Sequence, residues 1–298
     1  MSRKVWILAF TTILLWGSTF AAIRASLLGG YTPGHLILVR YSVASLAFVF
    51  VAMLPGKKIR MPDRKDIPLL ALLGFIGISV YHAGITFGEM TVSAGAVGMM
   101  IGAAPIVTAI IAVLFLKEKL GGIGWTGMGI GFAGIILITL GTAEGFSISV
   151  GAVYVLISVI ATSVFFAGQK PFLRKYKPVE LVAYFSWAGT IPFLIFSPGV
   201  VDTVTQATTE ANASAVYAGI FPAAIAYVTW STALSLGDAS KVTSMMYLEP
   251  AVAVITAWIW LGEWPSGLSL IGGAVALAGV IVVQVLGGRK KRKLSRAA

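Results

Sequence analysis

Cysteine is absent from this chain of 298 residues, and charged side chains make up only 11% of it. The absence of cysteine excludes disulfides, thiolate metal sites and a cysteine nucleophile together. Soluble domains carry about 25% charged residues, whereas 58% of this sequence is hydrophobic. Lipid rather than water must therefore surround most of the chain, and the composition predicts an integral membrane protein.

Sequence motifs of the common energy-using and hydrolytic proteins are also missing. The chain has no G-x-x-x-x-G-K-[ST], H-E-x-x-H or G-x-S-x-G run, and its only histidines are His35 and His82. We therefore expect neither an ATP-driven pump nor an intramembrane enzyme, and no cofactor or metal. An ion gradient or an exchange reaction would have to drive any transport. A receptor or scaffold that transports nothing is the alternative class.

Apolar runs of a length suited to crossing a membrane, about 20 residues each, occur ten times and predict an all-α protein of ten transmembrane helices. They lie at 5–23, 34–54, 67–88, 93–115, 122–140, 150–169, 180–197, 212–234, 240–260 and 267–286. The first run lacks a clean small-residue cleavage site before its end, which favours a retained helix over a signal peptide.

The basic residues are concentrated in alternate loops. With the N-terminus inside, the inner segments hold 20 of the 22 lysines and arginines, and only Arg24 and Arg40 lie toward the outside. The positive-inside rule then places both termini in the cytoplasm. This placement explains the formal charge of +11 without nucleic acid, and it makes the basic tail at 289–298 a flank of the tenth helix. The short loops and the lack of a transit-type leader predict a prokaryotic inner membrane.

The sequence repeats itself at an offset of 145 residues without a gap. Residues 100–136 and 245–281 are identical at 12 of 37 positions, against roughly 10% expected by chance. Matched pairs include Pro33 with Pro178, Pro105 with Pro250, Glu118 with Glu263 and Gly134 with Gly279.

The repeat predicts two units, at 1–145 and 146–288, each with five spans. Because five is an odd number, the two units must lie upside down relative to each other, which is the layout of a secondary transporter. Pro105 and Pro250 fall in the middle of predicted spans 4 and 9, where each would remove a backbone hydrogen bond and bend its helix. We expect these prolines to act as paired hinges, with a static kink as the alternative.

Several short motifs occur in order along the two halves. They are Leu15-Trp16-Gly17-Ser18-Thr19-Phe20, Arg40-Tyr41, Ser93-Ala94-Gly95-Ala96, Ala104-Pro105, Leu116-Lys117-Glu118, Glu249-Pro250 and Leu261-Gly262-Glu263. Together with the inverted repeats they resemble the drug/metabolite transporter superfamily, specifically its EamA-type exporters, over all of the chain except the basic tail. The resemblance implies export of amino acids or other small metabolites. It also implies a central cavity lined mainly by spans 1, 3, 4, 6, 8 and 9, and often proton coupling.

Ionisable side chains inside predicted spans are candidates for function because lipid makes them costly. Glu249 lies near the centre of span 9, while its repeat partner Ala104 is inert. Burial disfavours the charged carboxylate, so Glu249 could carry a proton or bind a substrate amine in alternation. A carboxyl group that only hydrogen-bonds within the bundle is the alternative.

His82 corresponds to Tyr227 at the repeat offset. Its imidazole, which titrates near neutral pH, suits proton coupling or recognition of a carboxylate, and a bond to a neighbouring helix is equally compatible with the sequence. We expect the Arg40 side chain to snorkel to the membrane surface or to pair with an outer acid. Binding of an anionic substrate is the functional alternative.

The remaining candidates are rings and hydroxyls at similar depths in the spans. The aromatic ones could line a cavity for an aromatic or aliphatic substrate, while the serines could equally bond to their own helix. The full predicted substrate site comprises Trp16, Ser18, Tyr81, His82, Ser163, Phe166, Tyr227, Trp230, Tyr247 and Glu249. The expected partners are a small-molecule substrate, membrane lipid and protons, and a homodimer is left open.

Overall fold

The computed structural model describes residues 2–54, 59–102, 104, 107, 122–141, 149–169, 171–236, 242 and 244–282. These residues form eleven α-helices when π-helical turns are counted within the helices that contain them. They are α1 (Arg3–Leu28), α2 (Pro33–Met53), α3 (Ile67–Gly88), α4 (Ala94–Ile101), α5 (Gly122–Gly141), α6 (Val150–Gln169), α7 (Pro178–Thr190), α8 (Val200–Gln206), α9 (Thr209–Leu236), α10 (Glu249–Leu261) and α11 (Gly267–Ile281).

Six helical segments in the described part of the chain are long and apolar enough to cross a membrane. They are α1, α2, α3, α6 with its extension to Arg174, α7 with its extension to Phe196, and α9. Shorter apolar helices lie within α5, α10 and α11. The chain is therefore an all-helical, multi-pass membrane protein.

Each predicted span coincides with a helix, although not always over its full length. Span 4 is described through Gly102 and at two positions beyond it, so Pro105 lies outside the described residues. The short α8 is an additional helix that the sequence analysis did not predict. It has no buried residues and lies between spans 7 and 8.

Two of the long helices contain a π-helical turn at nearly matching positions in the two halves. The turn in α3 covers Phe75–Val80 and the turn in α9 covers Phe221–Ala226. Tyr81 directly follows the first turn and Tyr227 directly follows the second. Such wide turns in α-helices are frequent at functional sites, so the two halves share an irregularity next to the candidate rings.

Glycines allow α5 and α11 to touch along their backbones. A Cβ atom added at Gly134 would lie 2.3 Å from the backbone nitrogen of Ala276, and one added at Gly279 would lie 2.3 Å from the backbone nitrogen of Gly131. Because 131 and 134 become 276 and 279 at the repeat offset, these two contacts exchange roles between the halves. Close backbone approach of this kind holds helices together in lipid, where no hydrophobic effect drives them together.

Glycine contacts also fix the helices around the interior. On α4, a Cβ added at Gly98 would lie 2.2 Å from the Cβ atom of Ala253 in α10. On α3, a Cβ added at Gly84 would lie 2.1 Å from the hydroxyl of Ser158 in α6. The interior is thus bounded by closely packed pairs of helices.

A cluster of polar side chains lies at the end of the bundle that contains the α6–α7 connection. The ammonium group of Lys175 lies 2.5 Å from Asp63 Oδ2 and also pairs with Asp66. Hydrogen bonds from Lys175 and Tyr176 hold the pKa of Asp66 below its usual range. These contacts tie the segment before α3 to the segment before α7.

Candidate functional site

Two small adjoining cavities lie between the helices. Both are lined by Trp16, Tyr81, Tyr227 and Glu249, so they form one aromatic region with a single carboxyl group. The first is also lined by Thr19, Phe20, His82, Ile85 and Pro222, and the second by Ile101, Ala104, Thr162, Phe166 and Met246. A largely apolar pocket with a few polar groups is typical of a small-molecule site.

Glu249 is the first residue of α10, and its side chain is 3% exposed. The 3-10 turn Ser244–Leu248 leads directly into it, so α10 begins inside the protein rather than at its surface. Glu249 thus lies in the first turn of α10, in the interior of the protein. Its repeat partner Ala104 lines the second cavity too, without any ionisable group.

Pro250 follows Glu249 at the point where the backbone changes from the 3-10 turn to α10. It packs on the end of α4, because a Cβ atom added at Gly102 would lie 2.2 Å from Pro250 Cγ. The change of helix type lies where the sequence analysis expected a bend. This geometry does not show movement, so the hinge roles of Pro250 and Pro105 stay predictions.

Trp16 is the centre of the aromatic wall. Its ring lies 5.2 Å from the ring of Tyr227, 5.3 Å from that of Trp230 and 6.2 Å from that of Phe166. Its indole Nε1 has no hydrogen-bond partner in the described part of the chain. Four candidates from two predicted halves are thereby brought together, with Trp230 buried behind Trp16 rather than lining a cavity.

His82 connects α3 to α9 through its repeat partner. Its Nε2 lies 3.2 Å from the hydroxyl oxygen of Tyr227, and the rings of Tyr81 and Tyr41 lie 4.4 Å and 4.8 Å from the imidazole ring. Its Nδ1 has no partner among the described residues. A second contact at the same offset joins the hydroxyls of Ser45 and Thr190, which are 2.9 Å apart.

Arg40 is completely buried, with no exposed surface. Its three guanidinium nitrogens have no hydrogen-bond partner within the described ranges, and its Cζ lies 5.8 Å from the centre of the Tyr41 ring. The side chain therefore does not snorkel to the surface, while pairing with an outer acid and binding of an anionic substrate stay predictions. α2 packs this residue against the protein interior, and no described carboxylate lies within 4.0 Å of it.

Arg24 links α1 to two other segments of the chain. Its Nε lies 2.9 Å from Glu263 Oε1, and its Nη1 donates to the backbone oxygen of Glu89 at 2.5 Å. Glu263 Oε2 also accepts from the backbone nitrogen of Ala94 at 3.4 Å. The sequence analysis did not select Arg24, although its isolation among acidic outer loops was a visible signal.

Two predicted serines lie outside the cavity lining. Ser18 donates to the Leu15 carbonyl and contacts the Tyr217 hydroxyl at 2.7 Å. Ser163 donates to the Val159 and Ala104 carbonyls. Both hydroxyls thus bond within their own helix, and the threonines at 19 and 162 line the cavities instead. The side chain of Tyr247 lies outside the described residues.

Comparison with known proteins agrees with this architecture. The EamA-like transporter family model matches the chain twice, at residues 3–140 and 149–285, and the chain belongs to this family. It is 40% identical to the transporter YdfC of Bacillus subtilis over 89% of this chain and 86% of that protein. It is 34% identical to a probable terminal-alkyne amino-acid exporter of Streptantibioticus cattleyicolor, over 98% and 97% of the two chains.

More distant similarity extends over the same length. A probable amino-acid metabolite efflux pump of Salmonella typhimurium is 23% identical, with 98% of each chain covered. A solved crystal structure shares the fold with a TM-score of 0.66 and 20% identity, covering 97% of this chain and 99% of the other. The protein is thus a membrane transporter, and its relatives bear the names of transporters and amino-acid exporters.

Proposed function

We propose that this protein is a secondary active transporter that exports an amino acid or a related small metabolite across the cytoplasmic membrane. The observation that carries the proposal is Glu249, a buried carboxyl group at a helix start that lines an aromatic cavity between the two halves. Such a group can hold a proton in one state and release it in another. Proton coupling through Glu249, with His82 beside the same cavity, is part of the proposal.

The proposed architecture is ten spans in two inverted repeats, at 1–145 and 146–288. Contacts between repeat partners support it, because a residue that touches its own counterpart must lie close to a two-fold axis. His82 with Tyr227 and Ser45 with Thr190 are two such pairs. The reciprocal glycine contacts of α5 and α11 and the double family match are further support.

Transport by alternating access follows from this layout. Two halves related by an axis in the membrane plane can rock around a site between them, which opens it to each side in turn. Arg24 and Glu263 close the outer end in this state, and Pro105 and Pro250 are the proposed hinges. Both termini lie in the cytoplasm on the charge distribution.

The substrate class is supported by the cavity and by the names of two relatives. Trp16, Phe166 and Tyr227 supply an apolar surface, while Glu249 and His82 supply the polar groups. The relatives from Streptantibioticus and Salmonella are named as a probable amino-acid exporter and a probable efflux pump. Uptake or exchange of the same substrate is the second candidate, because one architecture serves either direction.

An efflux screen tests the proposal. Cells that overproduce the protein are exposed to amino acids, their analogues and cationic drugs, and both resistance and export are measured. Purified protein in liposomes then reports flux with and without a pH gradient. Export of a metabolite that the vector-only cells retain is expected. Accumulation instead of export would support the second candidate, and no flux of any probe would contradict transport.

A further inference from the structure

We propose that Arg40 and Glu89 form a charged subsite that takes the carboxylate and the ammonium group of one α-amino acid. In this arrangement the apolar side chain of the amino acid lies in the adjoining aromatic cavity. The inference rests on the proposed function, which it deepens by assigning the zwitterionic head group to a particular pair of residues.

The first observation is that neither charge is satisfied by the protein. Arg40 and Glu89 both have no exposed surface. All three guanidinium nitrogens and both carboxylate oxygens lack a hydrogen-bond partner in the described part of the chain. A buried charge without a hydrogen-bonding partner is strongly destabilising, and native structures rarely keep one without a functional reason.

The second observation is that the two groups interact electrostatically without touching. Arg40 and Glu89 interact electrostatically with each other, yet they form no ion pair within 4.0 Å. A structural ion pair gains most from direct contact, with hydrogen bonds on the remaining atoms. Two opposite charges that do not touch can instead bind one ligand that carries both charges itself.

The third observation is a further set of buried polar atoms without partners. His82 and Thr86 in α3 and Glu89 directly after it follow a spacing of four and three residues, which places them on one face of the helix. His82 Nδ1, Thr86 Oγ1 and the hydroxyl of Tyr41 all lack partners among the described residues. Of these residues, His82 also lines the first cavity.

The combination of these surfaces matches an amphipathic molecule. A guanidinium group recognises a carboxylate through several donors in a fixed plane, and a carboxylate accepts the hydrogens of an ammonium group. The aromatic rings beyond His82 accept an apolar side chain. A simple amine or a simple carboxylic acid would satisfy only one member of the charged subsite.

Three probes that share one ring test this assignment. They are L-phenylalanine, 2-phenylethylamine, which lacks the carboxylate, and 3-phenylpropanoate, which lacks the ammonium group. The half-saturating concentration of each is measured by counterflow in liposomes containing the full chain. For wild type, we expect L-phenylalanine to require the lowest concentration.

The two single variants should then fail in opposite ways. Arg40→Gln should raise the half-saturating concentrations of L-phenylalanine and 3-phenylpropanoate by about tenfold to a hundredfold, because the lost bonds involve charged groups. It should leave the value for 2-phenylethylamine unchanged. Glu89→Gln should raise the values for L-phenylalanine and 2-phenylethylamine and leave that for 3-phenylpropanoate unchanged. An equal effect on all three probes would indicate a structural role and would overturn the subsite.

A control and a double variant keep the test decisive. Glu180→Gln changes another buried carboxyl group, one that bonds to the Lys177 backbone nitrogen at 3.0 Å far from the cavities, and it should leave all three values unchanged. Where a single variant fails to fold, Arg40→Gln combined with Glu89→Gln leaves no unbalanced charge. The double variant should bind L-phenylalanine no better than uncharged N-acetyl-L-phenylalaninamide, and an intact preference would overturn the proposal.

The outcomes also separate this inference from the proposed function. A wild-type protein that ignores all three probes but exports a metabolite that lacks an ammonium and a carboxylate group would overturn the charged subsite and leave the transport function standing. A wild-type protein that moves no metabolite in any assay would contradict the proposed function itself.

Discussion

Glu249 and its repeat partner Ala104 differ in chemistry, although both line the second cavity. Of the two, only Glu249 is titratable, so the proposed proton site has no counterpart at this position in the other half. On the proposed alternating access, one site between the halves can respond to the opening of either end. The asymmetry is therefore the feature by which a proton could be coupled to the movement of a substrate.

Replacing Glu249 with glutamine tests the coupling. Glutamine keeps the volume and hydrogen-bonding capacity of a protonated carboxyl group but cannot release a proton. We expect Glu249→Gln to fold normally and to lose transport driven by a pH gradient, measured in liposomes with an imposed gradient. Glu180→Gln serves as the control, and full gradient-driven transport by Glu249→Gln would remove it from the coupling mechanism.

The sequence allowed several site residues to be predicted, for identifiable reasons. Glu249, His82 and Trp16 stand out because ionisable or large polar rings are costly inside spans, and the structure brings them to one cavity. The direction of a side chain is harder to predict, because spacing gives the depth of Ser18 in its span but not whether its hydroxyl faces a cavity or bonds to the Leu15 carbonyl of its own helix. Arg24 was missed because its partner Glu263 is distant in sequence.

At the scale of the helices, hydropathy located the spans but not their interruptions. An average over about 20 residues does not detect a single π-helical turn or the 3-10 turn before α10. The short α8 has no buried residues and so carries no apolar signal. The contact of α5 with α11 cannot be detected from hydropathy either, because it depends on glycines that leave a groove in which a second backbone can lie.

Two glycines of α5 provide a matched test of that packing. Gly134→Ala should destabilise the protein by about 1–3 kcal/mol, because the new methyl group meets the backbone of α11 and cannot be accommodated without a shift. At Gly129 no atom lies within 4 Å of an added Cβ. Alanine there should be neutral or stabilise by about 0.5–1 kcal/mol, since it favours the helix. Thermal unfolding in detergent measures both, and equal effects would contradict the close α5–α11 contact.

At the scale of the whole molecule, Arg24 and Glu263 connect four elements at the end of the bundle that the charge distribution predicts to face outward. Arg24 belongs to α1. It bonds to Glu89 at the end of α3 and to Glu263 in the loop before α11. Glu263 extends the contact to the start of α4. On the proposed alternating-access mechanism, a rocking movement must break these contacts together, so Arg24 should control how often that end opens.

The lack of native cysteine makes this control measurable. Ile85 lines the first cavity, and Ile85→Cys would report entry of an impermeant maleimide from the outer side. Arg24→Gln should raise the labelling rate by about two- to fivefold, the population shift expected for loss of a partly exposed ion pair. Exchanging the charges, with Arg24→Glu and Glu263→Arg, should restore slow labelling.

The opposite end supplies the comparison for the same experiment. Lys175→Gln breaks an ion pair at the other end of the bundle and should not accelerate labelling of the cysteine at position 85 from outside. Acceleration by both substitutions would mean that they loosen the protein generally, and unchanged labelling in Arg24→Gln would contradict a gate.

The two π-helical turns bear on the order of events in the history of this protein. A π-helical turn contains more residues than an α-helical one, and inserting a single residue into a helix is the simplest way to create it. The turns at Phe75–Val80 and Phe221–Ala226 agree within one residue at the offset of 145, and the repeat has no gap. A duplication of one five-helix unit accounts for the repeat. The insertion then preceded the duplication, because both copies contain the wide turn, and the copies diverged later to His82 in one half and Tyr227 in the other.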